Sequence, residues 1–117
     1  MSKLLPIKTY ADKILRQKAK SISQEELQSN EIKQFILDMQ KTMLEKDGVG
    51  LAAPQVGRSI RLAIINTEDG PLVLVNPKIL KKSLKKEVME EGCLSLPDIF
   101  GMVKRSVKIK VCALNLE

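Results

Sequence analysis

The stretch from Asn30 to Gly57, "NEIKQFILDMQKTMLEKDGVGLAAPQVG", changes character part-way along, and that change decides the fold. Ile32, Phe35, Ile36, Met39 and Met43 recur at helical spacing and form one apolar stripe. The spacing predicts a helix over Asn30 to Lys46, with Ser29 or Asn30 as its N-cap and Gly48 as its stop. Lys46 stands near the negative end of that helix. From Gly48 to Gly57 the pattern gives way to three glycines and two alanines around Leu51, Pro54 and Gln55.

Downstream the period is that of strands. "RLAIIN" is a short isoleucine-rich run, "EDGP" is turn chemistry, and "LVLVNP" is a second apolar strand, expected to end at Pro77. Lys81 to Glu91 reads as a more polar extended segment. In "VKIKVCAL", Val107, Ile109, Val111 and Ala113 alternate with Lys108, Lys110, Cys112 and Leu114. Upstream, the first twenty residues read as irregular, with one short turn around Ala11 to Arg16. One helix followed by strands without intervening helices predicts an α+β domain, a mostly antiparallel sheet packed around one long helix.

Composition bounds the function. The 117 residues make one domain with a modest core, and aromatics are scarce at 3%, so aliphatics and methionine fill it. The net charge of +6 is compatible with RNA, a ribosome or an anionic membrane, or with a lysine-rich solubilising surface. The lysines are scattered and no aromatics interleave with them as stacking platforms, which favours the solubilising surface. No apolar run approaches membrane-spanning length, and "MSKLLPIKTY" lacks the pattern of a secretory signal, so the expected location is the cytoplasm. Two cysteines, Cys93 and Cys112, make neither a disulfide framework nor a paired-cysteine zinc site. There is no histidine, which removes the commonest general base and metal ligand.

The glycine stretch is not a dinucleotide or P-loop. It follows a helix and leads into strands, and it lacks a Gly-Lys-Ser/Thr ending. Two readings stay open: a helix stop with a tight turn, or small residues that let a ligand approach the backbone beside the Gln55 amide. In the second notable stretch, "EEGCLSLPD", Cys93 is either a small buried hydrophobe or a metal ligand or nucleophile. Cys112 reads as structural.

Together these stretches resemble the peptide deformylase family. Its motif G-x-G-x-A-A-x-Q is matched by "GVGLAAPQ", Gly48 to Gln55, and its motif E-G-C-x-S by "EGCLS", Glu91 to Ser95. "QVG" at Gln55 to Gly57, "LVNP" at Leu74 to Pro77, "VKR" at Val103 to Arg105 and the early "YADKILRQKA" are similar to further family segments, although Ala11 stands where proline is common. The third family motif, H-E-x-x-H, is absent because the chain has no histidine. The resemblance therefore implies a deformylase-like fold lacking the C-terminal metal-binding helix: a C-terminally truncated chain, or one subunit of a split deformylase.

The resemblance also implies an activity, removal of the N-formyl group from the initiator methionine of nascent bacterial proteins. In the family a divalent metal, often ferrous iron with zinc or nickel as alternatives, activates water. Carried over residue by residue, Cys93 would be a metal ligand, and one that does not hold the ion tightly by itself. Gln55 and the Leu94 N–H would be the oxyanion donors. Val49 and Gly50 would pair with an extended peptide, and Glu91 would shape the methionine pocket or pair with Arg105. The implied partners are the nascent N-formylmethionyl peptide and the ribosome, with no membrane and no specific nucleic acid. The alternative is a non-catalytic peptide-binding module.

Overall fold

Ser29 opens the long helix. Its side-chain oxygen accepts the Ile32 N–H at 3.2 Å in the computed structural model, which describes residues 3–9, 11–106 and 109–114, with the side chains at 97–101, 110, 112 and 114 left out. This helix, α2, spans Asn30–Glu45. The expected long helix is therefore present at almost its expected bounds, and a separate one-turn helix, α1 (Gln24–Leu27), precedes it. The division is local chemistry. Ser23 and Glu26 form a capping box for α1, and the Ser29 hydroxyl takes the Glu26 carbonyl at 2.6 Å while capping the next helix. A 3-10 turn at Lys13–Arg16 falls within the short turn expected from Ala11 to Arg16.

All five residues of the stripe are buried, and Met39 and Met43 are fully so. They pack with Leu51, Ala53, Val56, Leu62, Ile64 and Val75 in one core. Burying a side chain of this size contributes about 1.5–3 kcal/mol. At its C-terminus the helix ends in a Schellman-like turn. The Gly48 N–H reaches the Met43 carbonyl at 2.9 Å, and Asp47 takes the left-handed conformation at φ 53. The left-handed stop therefore falls on Asp47, one residue before the expected Gly48. Gly48 is instead short of space, because a Cβ there would lie 3.0 Å from Leu94 Cδ1.

The strands are β1 (Gly50–Ala52), β2 (Leu62–Thr67), β3 (Gly70–Lys82), β4 (Lys86–Cys93), β5 (Leu96–Ser106) and β6 (Ile109–Leu114). They form two sheets, a four-stranded one in the order β1-β2-β3-β6 and the β4-β5 hairpin. The pairings among these described strands are antiparallel, and outside them Lys20 and Ile60 form an isolated parallel bridge. Val107 and Lys108 of the alternating run lie outside the described residues, as do the side chains of Lys110, Cys112 and Leu114.

Pro77 does not end β3, contrary to the sequence expectation. The β3–β6 register skips from Val75 to Lys78, so Pro77 sits at a bulge where its missing N–H costs no ladder bond. Asn76, at φ 49, makes the bulge useful. Its side chain takes the Ile22 N–H at 2.7 Å and donates to the Ile22 carbonyl at 2.8 Å, fastening the early chain to the sheet. The polar segment expected from Lys81 to Glu91 is divided between the end of β3 and β4.

Two buried polar residues on α2 hold the N-terminal segment across the helix. Asp38 accepts the Lys3 N–H at 3.0 Å and Thr42 accepts the Leu5 N–H at 2.9 Å. Burial raises the Asp38 pKa, but the bonds from the Lys3 N–H and the Gln34 amide outweigh this and leave it lowered. The segment then reaches the functional region, where the Lys8 N–H donates to the Gln55 carbonyl at 2.6 Å.

The core assignment has a direct check. Met39→Ala is expected to lower unfolding stability by about 2–5 kcal/mol. Leu44→Ala, at a half-exposed position of the same helix, is expected to cost less than about 1 kcal/mol. Urea titration should show a lower midpoint for Met39→Ala with an unchanged slope.

Candidate functional site

The glycine stretch folds as β1 followed by a 3-10 turn at Ala53–Val56, closed by Gly57 at φ 94. β1 is an edge strand. The Asn66 N–H donates to the Val49 carbonyl at 2.9 Å, which makes Val49/Asn66 and Leu51/Ile64 the hydrogen-bonding pairs with β2. Gly50 alternates with them, so its N–H and C=O turn to the open edge. Val49 beside it is 83% exposed. Ala53, by contrast, is wholly buried in the core and does not face the site.

Both ends of the Gln55 side-chain amide are hydrogen-bonded. Its side-chain oxygen accepts the Ala52 N–H at 2.9 Å, which fixes the amide orientation and turns the nitrogen toward the β4–β5 hairpin. There Nε2 donates to Cys93 Sγ at 3.3 Å and to Ser95 Oγ at 3.1 Å. Cys93 is the last residue of β4 and pairs with Leu96 across a two-residue turn, Leu94 and Ser95. Cys93 is exposed, whereas Ser95 is buried. The Leu94 side chain docks against Gly48. The two sequence motifs, far apart in the chain, thus meet at one place.

Beside that meeting point is a cleft of about 320 Å³ lined by Leu15, Arg16, Gln55, Cys93, Ser95 and Leu96. Glu91 is not among the lining residues. Its carboxylate is forked by Arg105, with Nη2 to Oε1 at 2.9 Å and Nε to Oε2 at 3.2 Å. Hydrogen bonding from Arg105 lowers the Glu91 pKa, slightly opposed by desolvation.

The sequence profile of the polypeptide deformylase family matches residues 4–117. This chain belongs to the peptide deformylase family. It is 42% identical over 105 residues to the peptide deformylase of Thermotoga neapolitana, covering 90% of this chain and 62% of that protein. To that of Clostridium botulinum it is 47% identical over 109 residues, covering 93% and 71%. The Met-Ala-Ser-bound crystal structure of the class I type b peptide deformylase from Acinetobacter baumannii is similar at 41% identity and a TM-score of 0.93, covering 99% of this chain and 79% of that one. The chain therefore spans about three-fifths of the length of the Thermotoga relative.

The deformylase family is metal-dependent, and the residues present can be tested for a metal site. Cys93 offers an exposed thiol at the hairpin tip. Among the described residues no group of three or more His, Cys, Asp or Glu side chains gathers, and the sequence has no histidine. A catalytic site of the usual kind needs three protein ligands and an open position. The donor set of the described residues does not fit such a site.

The structure brings Gln55 and Cys93 together in the cleft lining and docks Leu94 beside them on Gly48; it turns the Gly50 backbone to the open edge, ties the Val49 carbonyl to Asn66, and sets Glu91 apart from the cleft lining in its ion pair. Sequence reasoning assigned no role to Ser95, Leu15, Arg16 or Leu96. The first three lie inside segments that carried the resemblance, "EGCLS" and "KILR", so the signal was present. What was missing was the third dimension that puts a 3-10 turn beside a hairpin tip.

The Glu91–Arg105 pair gives a pH expectation. With its pKa held below the ordinary 4.5, Glu91 contributes stability that is fully present above the ordinary value and is lost as pH falls through the lowered one. A carboxyl-carbon NMR titration should place its midpoint below 4.5, and Arg105→Gln should move that midpoint back up.

Proposed function

We propose that this chain carries the peptide-recognition and oxyanion-binding part of a peptide deformylase. The observation that carries the reading is the Gln55 amide, oriented by the Ala52 N–H and aimed at the Cys93 sulfur 3.3 Å away, beside an edge strand with free backbone groups. The reaction is hydrolysis of a formamide: water adds, the C–N bond breaks, and formate and a free α-amine result. A formylmethionyl peptide lies extended along β1 and pairs with the outward N–H and C=O of Gly50. Gly50, with no side chain, lets the peptide approach closely. The Met-Ala-Ser complex of the Acinetobacter enzyme supports a peptide as the ligand class.

As the formyl carbon becomes tetrahedral, its oxygen gains negative charge. Donors already oriented toward that position stabilise it without reorganising. Gln55 supplies a side-chain N–H and Leu94 a backbone N–H. Cys93 is the ligand that the family motif carries over for a divalent cation, ferrous iron first, with zinc and nickel as alternatives. Glu91 serves the site through Arg105, by stiffening the hairpin that carries Cys93. Nascent chains as substrates place the work beside the ribosome in a bacterial cytoplasm. The lone ligand favours a second reading: residues 1–117 by themselves bind formylmethionyl peptides without turning them over.

The test uses formyl-Met-Ala-Ser and the intact chain. Backbone amide NMR is expected to show shifts at Val49 and Gly50. A peptide N-methylated at the pairing amide should bind about tenfold more weakly, having lost a hydrogen bond. Formate release with ferrous iron, nickel or zinc should stay at background. Metal-dependent turnover that disappears in Cys93→Ala would contradict the last expectation. Shifts absent from β1 would contradict the reading as a whole.

A further inference from the structure

The Gln55 amide has two N–H groups, and the structure shows both engaged, one with Cys93 Sγ and one with Ser95 Oγ. A substrate oxygen can take a donor from Gln55 only by displacing one of them. The two acceptors are unlike. Cys93 is exposed at the hairpin tip. Ser95 is 3% exposed, and no buried side-chain nitrogen or oxygen among the described residues lacks a hydrogen-bond partner. Breaking the Ser95 bond would strand a buried hydroxyl, which costs its desolvation, whereas the exposed sulfur can turn to solvent. A thiol is also the weaker acceptor.

We infer that Ser95 is a positioning residue for the oxyanion donor: it keeps one Gln55 N–H permanently and so aims the other at the cleft. This rests on reading Gln55 as that donor. The amide is then fixed at both ends, its oxygen by the Ala52 N–H at 2.9 Å and one N–H by Ser95 at 3.1 Å. An amide group is planar, so fixing two of its corners fixes the direction of the third. The exchangeable N–H is the one now on sulfur. Preorganisation of this kind is what makes a donor effective when charge develops. Although Ser95 borders the cleft, in this role it acts through Gln55 and not on the reacting atoms.

The side-chain amide of Gln55 reports the inference directly by nitrogen-15 NMR of the intact chain, with its resonances assigned by their loss in Gln55→Leu. The wild type should show two well-separated Nε2 protons. Ser95→Ala should bring them together and speed their exchange with water by roughly fivefold to tenfold, the worth of one hydrogen bond. Ser95→Thr, which keeps the hydroxyl, should restore both. A second arm needs no substitution. Alkylating Cys93, with mass spectrometry confirming that site, should move one Nε2 proton and leave the other in place. The inference is overturned if alkylation moves both protons equally, or if Ser95→Ala folds and leaves both unchanged. Should Ser95→Ala not fold, the alkylation arm decides. Titration with Met-Ala-Ser separates this from the functional reading: the peptide should shift only the proton that alkylation shifts. A peptide that does not bind sinks the functional reading, and the Ser95 anchor is then judged by the first two arms.

Discussion

The Gln55 side chain ties the tip of the β4–β5 hairpin to the body that carries the core. On one side is the four-stranded sheet with α2 on its face, sharing one buried core. On the other is the β4–β5 hairpin, a separate two-stranded sheet. Two strands alone are marginal in water. At the hairpin tip the described contacts with the larger body include the Gln55 amide on Cys93 and Ser95, and Leu94 against Gly48 and the core. The thiol that the family motif supplies is positioned by that connection.

Gln55 can serve because the chain around it is held in turn. Its backbone carbonyl takes the Lys8 N–H, and the segment containing Lys8 is held down by Thr42 and Asp38 on α2. The 3-10 turn that carries Gln55 starts from Ala53, which is packed in the core. Helix packing, strap and loop thus transmit the rigidity of the core to one amide. Donors held on such a scaffold need not reorganise when charge appears beside them.

Much of this was legible in the sequence because periodicity reports burial. The stripe from Ile32 to Met43 marked the helix and its buried face, and "RLAIIN", Arg61 to Asn66, marked the strand that runs from Leu62 to Thr67. Pro77 misled because a proline normally ends a strand, and the bulge at Asn76 that accommodates it depends on a partner, Ile22, 54 residues away. β5 was not foreseen, since its "LPDIFG" opening has turn composition and its pairing with β4 supplies the order. At the site, the motifs named Gln55, Cys93 and Leu94. Ser95 was in plain view within "EGCLS", but a serine's role depends on burial and on the one partner it meets, and neither leaves a periodic trace. Glu91 was placed between two roles by the sequence, and the fork from Arg105 is visible only once the hairpin has closed.

The central claim is that Gln55 couples the hairpin to the body. Residue-resolved hydrogen exchange on Gln55→Leu, compared with the unaltered chain, tests it most directly. Local openings report separately from global unfolding. The account requires β4 and β5 amides to lose protection while α2, β2 and β3 keep theirs. Unchanged protection in β4 and β5, or an equal loss across the whole chain, would contradict it.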